Sequence, residues 1–535
     1  MSDAAPSVDL RPDHLRLVRD ILGRHVPDRE VVAFGSRATW TAKQYSDLDL
    51  AILGDEPLTL GVTAALADDF SESDLPFKID LVDWARLDES FRGIVRRNQV
   101  AVQVPVRGSE CLSVVHRLVP LGEVAKIVGG GTPSTRDDSN YNGMIPWITP
   151  KDLSTHFERY IERGERNITD KGLNSSSAKM LPANSVLFSS RAPIGYVAIA
   201  KNKLCTNQGF KSLMLNEGQV PEFYYYLLKF YTPQIESLAS GSTFKEISGS
   251  ALKSMRFAIP DERCQKAIAH ILGTLDDKIE LNRRMNETLE AIARAIFKDW
   301  FVDFGPTRAK MEGRAPYFPP EIWDLFPDSF DAQGRPRGWG IGTLDEIADA
   351  PRRNISPANV TEDTPYIGLE HMPRHSIALT EWGGAGKVIS NKSAFKKGEF
   401  LFGKLRPYFH KVGIAPLDGI CSTDIVVVIS QEPHWAAFIL ACLSSDAFVD
   451  YTNQTSTGTK MPRTSWKTMR QYELCLPSGQ IVRAFQDLVQ SLLNRIDANI
   501  HENHALAQLR DTLLPKLLGG EIELPQAEAI TDRVS

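Results

Sequence analysis

A Gly-Ser pair and three carboxylates near the start of the chain are the residues best suited to chemistry. Gly35-Ser36 follows the short apolar run Glu30 to Phe34, and Asp47 and Asp49 flank Leu48 in the run Ser46 to Leu53. Asp80 lies between Ile79 and Leu81 in a third run, Phe77 to Val82, with Asp83 competing for the same role. Strand alternation puts Asp47 and Asp49 on one face and Leu48 and Leu50 on the other. Three carboxylates brought together offer hard oxygen ligands for Mg²⁺, which can bridge nucleotide phosphates and activate an attacking hydroxyl. Gly35 lets the backbone approach a phosphate, and Ser36 can donate to it.

Short strands must hold these groups, and residues 1–110 are long enough for one small domain of that kind. The rest of the 535 residues calls for several more cores. The formal net charge of -6 is unevenly spread: residues 1–110 carry 13 basic and 19 acidic side chains, and the remainder is balanced. A neutral body does not suggest a nucleic-acid binder by charge alone. The six cysteines lie at least 21 residues apart without metal-type spacing, so reduced thiols and no zinc are expected. Residues 1–14 show no secretory signal, and the longest apolar run, Ala436 to Leu443, is too short to span a bilayer. A cytoplasmic protein with no membrane contact is expected.

Beyond residue 110 the chain repeats itself. Ile268, Leu272, Leu275, Ile279, Leu289, Ile292 and Ile296 fall, at an offset of 217 residues, on Phe485, Val489, Leu492, Ile496, Leu506, Leu509 and Leu513. Asn282 falls on Asn499 and Asn286 on Asn503. Spacings of three and four make an apolar stripe on a helix of about 40 residues, roughly 60 Å long. So long a helix with one narrow stripe needs a partner, and its own copy is the obvious one, with the asparagines fixing register. Each helix follows a β-rich segment of about 150 residues. Shared features are Leu121 to Ala125 with Leu344 to Ala348, Trp147-Ile148 with Tyr366-Ile367, and a hydroxyl-rich loop at 240–248 with another at 455–465. The segment 303–339, rich in Pro, Gly and Asp, reads as a linker.

With the stretch Trp300 to Gly313, the run Gly334 to Trp339, Gly129-Gly130-Gly131-Thr132-Pro133 and Leu514 to Glu521, this layout resembles the specificity (S) subunit of type I restriction-modification enzymes over about residues 117–520. The resemblance implies two target-recognition domains, each reading half of a bipartite sequence in double-stranded DNA, spaced by two long antiparallel coiled-coil helices. It also implies partner methyltransferase (M) subunits, two of them, and restriction/translocase (R) subunits. Neither an NPPY-type methyltransferase motif nor a GxxxxGK[ST] phosphate loop occurs in the chain, in keeping with a DNA reader that leaves chemistry to partners. Phosphate anchoring and base reading favour Arg, Lys, Gln and hydroxyl side chains. The DNA-contact candidates are Thr243, Lys245, Thr457, Lys460 and Arg463 in the loops, then Arg191, Gln208, Lys211, Lys404, Arg406 and Lys411.

Residues 1–110 lie outside that pattern. Gly35-Ser36, Asp47-x-Asp49 and Asp80 resemble the minimal nucleotidyltransferases of the polymerase-β superfamily, whereas Thr39-Trp40-Thr41 departs from the stretch many relatives carry after Gly-Ser-Arg-Ala. The resemblance implies catalytic and metal-binding roles for Asp47, Asp49 and Asp80, nucleotide binding at Gly35 and Ser36, and use of Mg²⁺ and an NTP, the domain either passing a nucleotide to a partner protein or serving as a degenerate binding module. The expected fold class is therefore α+β and multidomain. A nucleotidyltransferase-like domain occupies 1–110, recognition domains 117–260 and 340–476, spacer helices 261–303 and 477–520, a linker 304–339 and a tail 521–535. The competing reading is a nucleotidyltransferase enzyme whose duplicated region recruits a nucleic-acid or protein substrate.

Overall fold

The computed structural model describes residues 8–26, 29–43, 46–54, 57–73, 75–97, 99–103, 117–154, 156–240, 245–458 and 460–531. It divides into two units, Met1–Val115 and His116–Ser535.

In the first unit, strands β1 (Val31–Phe34), β2 (Leu48–Ile52), β3 (Ile79–Asp83) and β4 (Val100–Gln103) form one sheet in the order β3-β2-β1-β4. Helices α1 (Pro12–His25), α2 (Leu60–Ser71) and α3 (Glu89–Arg97) cover it. All four residues of β1 are buried, because both faces are packed. Val31, Ala33, Leu48 and Leu50 meet Ile21 and Leu22 of α1 and Leu66 and Phe70 of α2, while Val32, Phe34 and Ala51 meet Val95 of α3. α2 connects β2 to β3 so that they run parallel, which sets Asp49 opposite Asp80.

The second unit is a mixed α+β body containing two β-rich modules and two long helices. Each module is closed by an antiparallel ribbon, Arg117–Pro120 with Arg256–Ile259 and Gly340–Thr343 with Glu473–Leu476. The second strand of each ribbon leads straight into a long helix, so every module begins and ends at a helix root. Inside the first module, Val186–Ser190 lies between Ile194–Ala200 and Lys211–Leu215. In the second, Phe400–Gly403 lies between Val412–Ile414 and Ile425–Ser430 in the same order. Trp147 and Ile148 pair in parallel with Cys205 and Thr206, and Tyr366 and Ile367 do so with Ile420 and Cys421.

The long helices, Glu262–Phe301 and Gly479–Gly519, run antiparallel. Asn282 Nδ2 donates to Asn503 Oδ1 at 3.0 Å, and Asn499 Nδ2 donates to Asn286 Oδ1 at 2.8 Å. Since 499 and 503 are the copies of 282 and 286, the contact is reciprocal, as a two-fold relation between like surfaces requires. Beyond the asparagines the stripe departs from the sequence expectation: Ile292 is 43% exposed, and Ala293, Phe297 and Trp300 are buried in its stead. A straight helix drifts by about 20° per heptad against a 3.5-residue repeat, so the inner face moves off Ile292.

At this end Trp300 and Phe301 pack with Phe326, Trp339, Phe438 and Phe485. The segment expected as a linker is therefore no free tether. It contains helices Gly305–Met311 and Pro320–Trp323, and its Phe326 ring lies 4.9 Å from that of Trp300. Nearby, buried Glu290 fastens the first helix to the second module, accepting from Ser376 Oγ (2.8 Å) and from the backbone amides of Ile377 (3.0 Å) and Ala378 (3.2 Å). Among the described residues no helix is long and apolar enough to cross a membrane.

Candidate functional site

In the first unit the β1–β2 pairing sets Phe34 opposite Asp49, so Gly35 emerges from β1 beside that carboxylate. Gly35 has φ +73°, and a Cβ there would collide with Asp49 Oδ2. Glycine is required twice over, by the backbone and by the closeness of the acid. Arg37, only 6% exposed, clamps the turn that follows. Its Nε and Nη2 donate to the Ser46 carbonyl at 2.9 and 2.8 Å, Nη1 donates to the Asp9 carbonyl at 3.0 Å, and the guanidinium lies 4.1 Å from the Phe77 ring centre. It thereby ties the Gly35-Ser36 turn to the residue that precedes Asp47. Sequence reasoning assigned Arg37 no role, since one arginine beside Gly-Ser carries no periodic signal.

Asp47 is exposed, whereas Asp49 and Asp80 are half-buried. Burial raises the Asp49 pKa above the usual carboxylate range, and the charges of Asp80 and Asp47 raise it further, against the pull of Lys78. Such a gathering of like charge is a site a cation relieves. Lys78 partly serves, by pairing with Asp80, and the three carboxylates do not all lie within 4.8 Å of one another. Asp83 is committed elsewhere: its carboxylate accepts from the amides of Leu58 (2.8 Å) and Ala85 (3.2 Å) and pairs with Arg86 at 3.3 Å. Asp80, opposite Asp49, is the third acid at this end of the sheet.

In the second unit the two loops dock on equivalent strand ends. Ser240 bridges Glu246 and Thr457 bridges Arg463, again 217 residues apart, while Arg191 pairs with Glu246 and Leu405 with Arg463. The charge at this point is inverted between the copies. In the first module Glu246 receives Arg191 at 3.4 Å and Lys211 at 3.0 Å; in the second, Arg463 reaches Asp424 at 2.7 Å with Lys404 nearby. Burial, followed by the charge of Arg463, pushes the Lys404 pKa down.

The remaining candidates divide by what holds them. Gln208 accepts from Thr132 Oγ1, which joins it to the Gly129 to Pro133 segment, and Lys411 donates to the Leu369 carbonyl. The Arg406 amide donates to the Pro462 carbonyl at 2.7 Å, while its Nε is buried without a partner. Thr457 Oγ1 faces the Arg463 carbonyl at 3.5 Å. Lys245 and Lys460 are exposed, and neither has a side-chain hydrogen bond or ion pair among the described residues. Thr243 lies outside the described residues. Described members of the set thus gather at each strand end, and three of its cations, Arg191, Lys211 and Arg463, are already ion-paired within the protein.

Comparisons with known proteins accord with both halves of this picture. The family model for the "Type I restriction modification DNA specificity domain" matches residues 117–291, and that for "Polymerase beta, Nucleotidyltransferase" matches residues 19–102. The type I restriction enzyme MjaIX specificity subunit of Methanocaldococcus jannaschii is 34% identical over 432 residues, covering 77% of this chain and 94% of that protein. The HindI specificity subunit of Haemophilus influenzae is 28% identical over 462 residues, covering 75% and 98%. A probable protein adenylyltransferase, MntA, of Haemophilus influenzae is 49% identical over 96 residues, which are 18% of this chain and 84% of that protein. The chain belongs to the family of type I restriction enzyme specificity subunits, and a nucleotidyltransferase domain of the polymerase beta type stands at its N-terminus.

Proposed function

We propose that the chain works in the cytoplasm as the DNA reader of a type I restriction-modification complex, its two modules each reading one half of a bipartite double-stranded target for M and R subunits. The observation that carries this reading is the reciprocal pairing of Asn282 with Asn503 and Asn286 with Asn499 between antiparallel helices. Helices of 40 and 41 residues are roughly 60 Å long, more than one duplex turn of about 34 Å, so base pairs between the half-sites go unread. In this reading Lys245 and Lys460 anchor phosphates, and Arg191, Gln208, Lys211, Lys404, Arg406, Lys411, Thr243, Thr457 and Arg463 form the surrounding contact surface. Co-expression with its M subunits, of which two are expected, followed by mapping of methylated adenines, tests it. A bipartite motif is the expected result, and a single contiguous motif overturns it.

For the N-terminal domain we infer nucleotide transfer to a partner protein. Asp47, Asp49 and Asp80 would hold Mg²⁺, which would supply the positive charge that lowers the cost of attack on an NTP. Gly35 and Ser36 would face the phosphates, and Arg37 keeps that turn in place. Incubation with labelled NTPs, Mg²⁺ and the partner subunits tests this: label on a partner is expected and should be lost in Asp47→Ala, while undiminished label in that variant refutes it.

A further inference from the structure

His375, His410 and Asp446 are the group of possible metal ligands among the described residues whose ligand atoms all lie within 4.8 Å of one another. They belong to the second module, far in sequence from the acids of the first unit. His410 is 95% buried, being 5% exposed, and its Nε2 donates to the Ser444 carbonyl at 2.9 Å. A backbone carbonyl accepts and cannot donate, so that contact fixes the proton on Nε2 and leaves a lone pair on Nδ1. Nδ1 faces Asp446 Oδ1 at 3.5 Å. Two acceptors therefore confront each other, at a separation too long for a hydrogen bond. It is close to the roughly 3.4 Å between neighbouring ligands of a tetrahedral ion with bonds of about 2.0–2.1 Å.

The surrounding backbone is bent toward the same point. His375 and His410 both occupy the left-handed region, at φ 57° and 50°, and the His375 amide donates to the His410 carbonyl at 3.0 Å. Their rings lie 4.4 Å apart. A non-glycine residue with positive φ is uncommon, and two bonded to each other need a surrounding that holds them there. Arg294 lines the same cleft, and its charge is met by Glu290 at 3.8 Å.

We propose that His375, His410 and Asp446 form a binding site for one divalent ion of the zinc type, joining the 375 loop, the 407–410 turn and the start of helix Asp446–Gln454. Two imidazoles and one carboxylate suit a borderline-soft ion and leave a fourth position for water. The hydrogen bond from His410 to Ser444 is the outer support that ligating histidines ordinarily have. Ser376, next to His375, bonds Glu290 on the first long helix, and Lys411 follows His410. The ion would brace the second module where its helix anchor meets its candidate DNA-contact turn.

The test uses untagged full-length protein carrying Asp47→Ala and Asp49→Ala, so that the N-terminal acids contribute no ligand. After dialysis against chelator it is titrated with Zn²⁺ and with Co²⁺, whose visible absorption reports tetrahedral coordination. One equivalent bound per chain, a raised melting temperature and a tetrahedral Co²⁺ spectrum are expected. His375→Ala and Asp446→Ala alter exposed side chains, so both should melt as the parent does in chelator yet lose the spectrum and the melting shift. Retention of less than a tenth of an equivalent by the parent, or equal binding in both variants, overturns the proposal.

Discussion

Replacing Asn282 by alanine probes the helix pair most directly. The substitution removes the donors to Asn503 Oδ1 and Glu502 Oε2 and leaves the buried Asn503 acceptor without a partner. An acceptor stranded in this way costs about 1–3 kcal/mol. Asn282 Oδ1 is itself buried and unpaired, so its loss offsets part of the cost and places the expected value near the lower end, about 1–2 kcal/mol. Asn503→Ala should cost a similar amount. The double variant should fall short of the sum by about 1 kcal/mol, because the two side chains form one bond. The copies 282 and 499 correspond in sequence but share no hydrogen bond, so their cycle should add to within about 0.5 kcal/mol. Urea unfolding followed by tryptophan fluorescence measures these differences, Trp300 lying buried at the end of the same helix. Stronger coupling for 282 with 499 than for 282 with 503 would refute the antiparallel reciprocal register.

Three further outcomes are expected. Asp83→Ala should destabilise the first unit by about 1–3 kcal/mol through loss of the bonds to Leu58 and Ala85 while nucleotide transfer per folded molecule persists, as melting and labelling assays together show. Lys245→Ala and Lys460→Ala should each weaken DNA binding and lower the slope of log affinity against log salt by about 0.9, read by fluorescence anisotropy. Glu290 is raised above the ordinary glutamate pKa by burial, against the bonds from Ser376, Ile377 and Ala378. Its folded form therefore holds the proton more tightly: the stability it contributes is full below about pH 4.3 and is lost as pH rises through the raised value. Glu290→Gln should flatten that limb in melts taken across pH.

How much of this was legible in the sequence depended on whether the signal was local or repeated. The helix pair and its asparagines showed in the 217-residue offset, because two copies of one stripe leave a pattern a single helix would not. The same offset reappears in the Ser240–Glu246 and Thr457–Arg463 bridges, though the inversion of charge there emerged only from the partners. Ile292 was misread because a fixed spacing ignores the slow rotation of a straight helix. The 304–339 segment looked like a tether since Pro, Gly and Asp outweighed Phe326 and Trp339, whose burial depends on the end of a helix already completed. Glu290 and the His375, His410 and Asp446 group had no sequence signature at all. Their partners lie tens of residues away, and only the tertiary fold brings them together. In the first unit strand alternation put Asp47 and Asp49 on one face, but that Asp80 lies opposite Asp49 showed only in the β2–β3 register.

The most direct measurement replaces residues 340–476 with the second module of another specificity subunit and maps methylated adenines after co-expression with the M subunit. Because residues 340–476 include the closing ribbon and the groups that bind Glu290, the incoming module would have to supply both. A motif in which one half changes, while the other half and the spacing stay as they were, is the result this account requires. A change in both halves, or in neither, would contradict it.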